Sequence, residues 1–272
     1  MSLYVYCPRR SHGALELVTA LDASRLRRFD GIDFWSKQRR HVLKDGDVVV
    51  CWGASIPDIE GIHVLNALDQ PSTAFTEWER LRNVGIPTFY VLRQTRPASQ
   101  FVPRVQELFR AVDPSYCIQR EEFVSEYRMH SFDKRTIRAG IKTPRHGFTV
   151  CPEADWRPGA CVAHPWIRSF AGGWDVNYDA LTLPPDLRRL AHRAVNTLGL
   201  TFGAVDIGLQ SDGRLMVLEV DRAPRLEGKT LMSYVRAITR WAKGQGDACD
   251  AGRVSAGTLE DDGEDGDSDN RV

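Results

Sequence analysis

Apolar residues recur along this chain with both strand and helix periods. Residues 3 to 7 predict a short strand. Residues 12 to 28 predict a helix, with Leu15, Val18, Leu21 and Leu26 on one face. Val48-Val49-Val50-Cys51-Trp52, between the turn Asp45-Gly46-Asp47 and Gly53, is a continuous apolar run. Such a run suits a strand buried on both faces, as in a parallel sheet. A second helix is expected over 72 to 83, capped by Ser72 or Thr73 and ended by Gly85-Ile86-Pro87, with a strand following over 88 to 92. This alternation of strand and helix argues for a small α/β unit. Residues 93 to 103 read as a polar linker and 104 to 112 as a short helix. Strands are expected over 118 to 124 and 126 to 132, the latter turning at Asp133-Lys134-Arg135. Leu187, Leu190, Ala191, Ala194, Val195 and Leu198 mark one face of a helix over 185 to 198. Pro184 and Pro185 suit its first turn and Gly199 its C-terminal cap. A last amphipathic helix is expected over 230 to 243, with Leu231, Tyr234, Val235, Ile238 and Ala242 inward.

Composition changes the picture in one respect. The chain has 272 residues, 42% hydrophobic and 26% charged, enough for a real core and unlike a disordered or fibrous chain. Its formal net charge of zero conceals a division. Residues 244 to 272 hold nine acidic and two basic side chains, leaving 34 basic against 27 acidic in the body. The tail, without aromatic residues, is expected to be disordered. The basic body favours anionic ligands: nucleotides, phosphates, acidic chains or nucleic acid. No run approaches the roughly 20 apolar residues that span a bilayer, so no membrane partner is expected. The start of the chain does not read as a secretion signal. Six scattered cysteines without a CxxC pair read as reduced thiols, which together point to the cytoplasm.

The chemistry gathers between the last two helices. Asp212-Gly213 flanked by apolar runs is a strong hairpin signal. A two-residue turn there sets Asp206 opposite Glu219, with Asp221 on the same face. Directly opposed like charges repel, so a cation must offset them. Two readings stay open: a hard divalent ion on three carboxylates, or arginines (Arg222, Arg225 or Arg168) neutralising the face.

The segments from Leu198 to Ile207 and from Val217 to Gly228 resemble the C-terminal lobe of ATP-grasp ligases, most closely the ribosomal-protein glutamate ligases and small phage-encoded relatives. In that family an Asp and a Glu-x-Asn pair hold two Mg²⁺ ions against ATP phosphates. The resemblance therefore implies Asp206, Glu219 and Asp221 as metal ligands, with Asp221 standing where Asn is usual. Glu126-Tyr127-Arg128 is similar to the family's acidic-x-Arg strand. Residues 119 to 124 resemble the hinge whose backbone meets adenine, which implies nucleotide contacts at Glu121, Glu122, Phe123 and Val124. Trp166 to Gly173 resembles the arginine segment near the transferred phosphoryl group, which implies catalytic roles for Arg168 and Arg128.

The implied fold is an amino-terminal α/β domain over 1 to 66, an abbreviated ATP-grasp domain with an antiparallel sheet over 67 to 243, and the acidic tail. The implied activity is ATP- and Mg-dependent joining of a carboxylate and an amine, of unspecified identity, through an acyl phosphate. The substrates are peptides, other macromolecules or metabolites. The family's glycine-rich flap has no counterpart: the 21 residues between Pro97 and Gln119 contain no glycine. A competing reading follows, in which the scaffold binds nucleotide, nucleic acid or an acidic partner without catalysis. Arg128 pairs with Glu126 or Glu121 if it binds no ligand. Arg138 and Lys142, at strand spacing, line a groove for an acidic substrate or form a solvated face. No histidine spacing suggests a metal, and no P-loop, GxSxG or GxGxxG pattern occurs.

Overall fold

A computed structural model describes residues 1–8, 11–30, 33–54, 56–67, 73–89, 91–93, 116–118, 122–157, 159–166, 168–179, 183–184 and 186–255. The first third carries the expected strands and helices, with five further short strands among them that the apolar pattern does not announce. Strand β1 (Leu3–Tyr6) leads to helix α1 (His12–Ala20), whose N-cap Ser11 accepts a hydrogen bond from the Ala14 amide. The helix is shorter than the expected 12 to 28. Asp22 adopts φ 50° and the Ala23 amide bonds back to the Val18 carbonyl, closing a Schellman-type end. Leu26 therefore belongs to β2 (Ser24–Leu26), where it is fully buried.

A small antiparallel meander follows: β3 (Arg28–Asp30), β4 (Asp33–Ser36) and β5 (Arg39–His41). Then come β6 (Val48–Cys51), buried throughout as its unbroken apolar run predicts, and β7 (His63–Leu65). These form a parallel sheet in the order β2-β1-β6-β7. Asn66, at φ 60°, then clamps the distant C-terminal strand. Its side chain donates to the Phe202 carbonyl at 3.0 Å and accepts from the Thr201 and Phe202 amides at 2.8 and 2.9 Å.

Helix α2 (Ala74–Asn83) begins with a capping box between Thr73 and Thr76. Strands β8 (Val91–Arg93) and β9 (Tyr116–Ile118) pair antiparallel. The expected linker after residue 93 and the helix over 104 to 112 lie outside the described residues.

The second sheet is wholly antiparallel, in the order β14-β11-β10-β15-β16. Its members are β10 (Ser125–Phe132), β11 (Arg135–Pro144), β14 (Trp174–Asn177), β15 (Phe202–Leu209) and β16 (Leu215–Asp221). A short ladder of β12 (Thr149–Val150) and β13 (Val162–Ala163) precedes β14. Period-two alternation gives the sheet two unlike faces. Tyr127, Met129, Val205 and Ile207 pack against α3 (Asp186–Thr197), whose Leu187, Leu190, Ala191, Ala194 and Val195 are buried as its spacing predicts. The opposite face is apolar at one end, where Phe132 and Phe202 lie against Tyr234 and Ile238 of α4 (Gly228–Ser255) and Trp52, just beyond β6. Farther along, that face carries Arg128, Lys142 and Asp206.

Helix α4 runs on from Gly244 to Ser255, where composition predicts disorder. Extending a packed helix needs no new nucleus, and Ala248 and Ala251 are strong helix formers. The tail from 256 onward lies outside the described residues. No described helix is long and apolar enough to cross a membrane.

Candidate active site

The site is built on paired strands, and the register sets its geometry. Arg128 on β10 lies directly opposite Asp206 on β15. Its Nη1 donates to both Asp206 carboxylate oxygens, at 3.1 and 3.2 Å, and its Nη2 donates to Asp221 Oδ2 at 2.6 Å. Lys142 on β11 donates to Asp206 Oδ2 at 2.7 Å and also to Glu126. This network is buried: Asp206 is 1%, Glu126 2% and Lys142 7% exposed. Burial alone would lower the Arg128 pKa, but Asp206, Asp221 and Glu219 more than offset that and keep the guanidinium charged.

Behind Arg128 sits His130, buried between two phenols. Its Nε2 lies 2.9 Å from the Tyr178 hydroxyl and its Nδ1 3.2 Å from that of Tyr234. Burial, assisted by the Arg128 charge, lowers the His130 pKa to about 3, so the ring is neutral. Burial likewise raises both tyrosines.

This face floors a cleft of about 540 Å³ whose walls include Arg138, Arg168, Phe170, Trp174, Tyr178 and Lys229. The Arg138 guanidinium stacks 4.6 Å above the Tyr178 ring, and its buried Nε has no hydrogen-bond partner. Arg168 stacks 4.9 Å over Trp174 and donates from Nη2 to the Phe123 carbonyl at 2.6 Å. Burial lowers its pKa, opposed by Glu126.

Of the residues singled out by sequence, Arg128, Arg138, Lys142, Arg168, Asp206, Asp221 and Arg225 line this cleft together. Arg128 pairs with Asp206 and Asp221 rather than with Glu126, which pairs with Lys142. Lys142 is thus a buried partner of the central carboxylate and no part of a solvated face. Among the arginines expected to balance the acids, Arg222 lies near Glu77 and Arg225 bonds Glu227. Glu219 pairs with Asp206 in register but opens into a second cleft of about 250 Å³, beside Gly53, Glu77, Trp78 and Arg222. In the hinge, Glu122 and Val124 are exposed, and Glu121 lies outside the described residues. The Phe123 ring covers Gly208, where an added Cβ would lie 2.3 Å from the ring. Tyr178 and Trp174 carried no sequence signal beyond being aromatic.

The divalent ion implied by the resemblance can be tested against these contacts. Among the described residues, no three Asp, Glu, His or Cys side chains are grouped to hold a metal. Asp206 is taken up by Arg128 and Lys142, and Asp221 by Arg128 and the Ala223 amide. The donors in this arrangement do not fit a divalent ion, and the cation between the two aspartates is a guanidinium.

No protein-family model matches the chain, and no curated protein matches it either. Solved structures do. The chain is similar to the ATP-grasp ligase PsnB complexed with a minimal precursor, at 12% identity and TM-score 0.54, covering 90% of this chain and 99% of that one. D-alanyl-alanine synthetase A from Vibrio cholerae matches at 11% identity and TM-score 0.53, over 90% and 98%. D-alanine-D-alanine ligase from Aeromonas hydrophila matches at 11% and 0.50, over 86% and 96%. At such identities the likeness speaks for architecture alone, and the architecture of this chain is the ATP-grasp fold.

Proposed function

We propose that this chain is an ATP-dependent ligase that joins a carboxylate to an amine, and that the carboxylate belongs to a peptide. The observation that carries this reading is the walled cleft on the grasp sheet, where Arg138 and Arg168 present guanidiniums beside the Arg128–Asp206–Asp221 clamp. A walled cleft of that size suits a compact anion better than an extended polyanion. The unpartnered Nε of Arg138 is a buried donor lacking an acceptor, which a phosphate or carboxylate oxygen would supply. Support for a peptide comes from PsnB, which shares the fold and was also solved with a precursor peptide.

In this reading a carboxylate oxygen takes the terminal phosphoryl group of ATP, giving an acyl phosphate and ADP. The amine then attacks the acyl carbon, phosphate departs, and the nitrogen releases a proton to water. Such phosphoryl transfer is governed by positioning and electrostatics. Arg168, held by Trp174 and the Phe123 carbonyl, presents a fixed planar donor set to the phosphoryl oxygens. Arg138 orients the carboxylate from the Tyr178 side. Arg168→Lys keeps the charge but loses the stack and the fork, so turnover falls more than nucleotide affinity.

A second reading has a specific observation in its favour. Because Arg128 already bridges Asp206 and Asp221, the cleft can act as a finished binding site without chemistry. Positional isotope exchange in labelled ATP, with acidic peptides and no amine, separates the two. Exchange that requires the peptide supports the ligase. Nucleotide binding without exchange supports the binding protein, and absence of nucleotide binding rejects the ligase.

A further inference from the structure

We propose that Arg128 is the resident cation of this cleft, occupying the position between Asp206 and Asp221 that a divalent metal would take. The inference rests on the contacts of the clamp and not on the ligase reading. All four oxygens of the two aspartates have protein donors. Asp206 Oδ1 receives Arg128 Nη1, and Asp206 Oδ2 receives both Arg128 Nη1 and Lys142 Nζ. Asp221 Oδ2 receives Arg128 Nη2, and Asp221 Oδ1 receives the Ala223 amide. A metal ion here would have to share these oxygens with a guanidinium and an ammonium already held against them.

Two physical terms oppose that sharing. Backbone register fixes the clamp: Arg128 and Asp206 are direct partners in the β10–β15 ladder, so their approach does not depend on a flexible reach. The site also holds two fixed positive charges, with the Arg128 side chain 17% and the Lys142 side chain 5% exposed. A dication must share the carboxylates with these two cations, whose repulsion offsets part of its attraction to them. Asp221 completes the arrangement. A carboxylate there gives the second arm of the guanidinium a charged acceptor at 2.6 Å, which a neutral amide would supply only weakly. The aspartate pair thus carries a cation that belongs to the chain, and the cleft's further guanidiniums, Arg138 and Arg168, remain for an anionic ligand.

The test is titration of the full-length protein with Mn²⁺ alone, following the free-ion electron paramagnetic resonance signal, without nucleotide. The acidic residues between 260 and 269 contribute weak binding to every variant. The signal is therefore read as the difference from Asp221→Asn, which retains that segment and lacks one clamp carboxylate. Wild type is expected to match Asp221→Asn up to about 1 mM Mn²⁺, the weak end of carboxylate sites. Arg128→Met, which empties the position, should gain a site at least roughly tenfold tighter. That site should vanish in Arg128→Met/Asp221→Asn. A saturable site in wild type that Asp206→Asn removes would overturn the proposal, whether or not Arg128→Met folds. A folded Arg128→Met that gains no Mn²⁺ would overturn it too. ADP affinity measured in chelator and in Mg²⁺ keeps the two ideas apart. Failure to bind ADP in either condition defeats the ligase reading, while the Mn²⁺ titration still decides the clamp.

Discussion

In the β15–β16 hairpin two irregularities offset one another. The turn holds three residues, Ser211-Asp212-Gly213, with the Gln210 amide bonded to the Arg214 carbonyl and Gly213 at φ 87°. Leu209 therefore pairs with Leu215. Leu218 then bulges out of the ladder, so Ile207 pairs with Val217 but Asp206 with Glu219. The β10–β11 hairpin has the two-residue turn Asp133-Lys134, both at positive φ, and Phe132 pairs with Arg135. It also carries a slip, between Ser131↔Thr136 and His130↔Arg138, and nothing compensates it. Each irregularity moves side chains to the other face, because the strand period is two. One hairpin thus returns to the register of a simple turn, and the other leaves it before reaching the site.

That difference makes a ranked set of predictions about which hairpin the site depends on. Lys142→Met, beyond the uncompensated slip, leaves Asp206 and Glu126 buried with one cation fewer. It should cost roughly 3–5 kcal/mol in urea unfolding. A loss as small as that of an exposed substitution would place the stabilising contacts elsewhere.

The next effect is acid sensitivity at His130, the residue beside the slip. Its folded pKa of about 3 lies below the ordinary histidine value, so the unfolded chain binds the proton more readily. Stability from this group is complete above pH ~6.5 and declines on acidification towards pH ~3, by about 1.4 kcal/mol per pH unit. The unfolding free energy of His130→Asn should lack this component between pH 6 and 4. Parallel curves for the two proteins would refute it.

Smaller effects are expected in the compensated hairpin. Gly208→Ala drives a Cβ into the Phe123 ring and should cost about 1–3 kcal/mol. It should also loosen the Arg168 bond to the Phe123 carbonyl, which a weaker response of Trp174 fluorescence to Arg168→Lys would register. Thr88→Val removes the hydroxyl that donates to the Val217 carbonyl at 2.7 Å, just before the bulge, for about 1 kcal/mol. Glu219→Gln removes one of the charges that favour the Arg128 guanidinium and should cost up to about 1 kcal/mol. A larger loss there would mean that Glu219 shares the buried network.

The same contrast explains what was legible in the chain. Cap and turn residues located α2 and the hairpins, an unbroken apolar run located β6, and apolar periodicity located α3. That periodicity overran α1 because Leu26 continues the helical spacing by coincidence, while Asp22 turns the backbone. Asp206 opposite Glu219 was read from a simple turn, and that pairing stands because Leu218 cancels the extra turn residue. The partner of Lys142 was not legible. An unbroken register sets Ile141 opposite Glu126, and nothing in the residue types announces the slip that brings Lys142 there instead. Glu219 shows the remaining gap: register gives its backbone neighbour, not the cleft into which its side chain opens.

Asn66 and the apolar end of the cleft face have a consequence for synthesis. The residues that complete the core around Val5, Leu17, Val50 and Trp52 are Phe132, Phe202, Tyr234 and Ile238. Asn66 meets its partner Phe202 only after 136 further residues have been made. At common translation rates that interval is on the order of ten seconds. During it the first sheet emerges with one face covered only by α1 and Asn66 unbonded to its strand. Newborn chains should therefore bind holdase chaperones until α4 leaves the ribosome, and release them together rather than domain by domain.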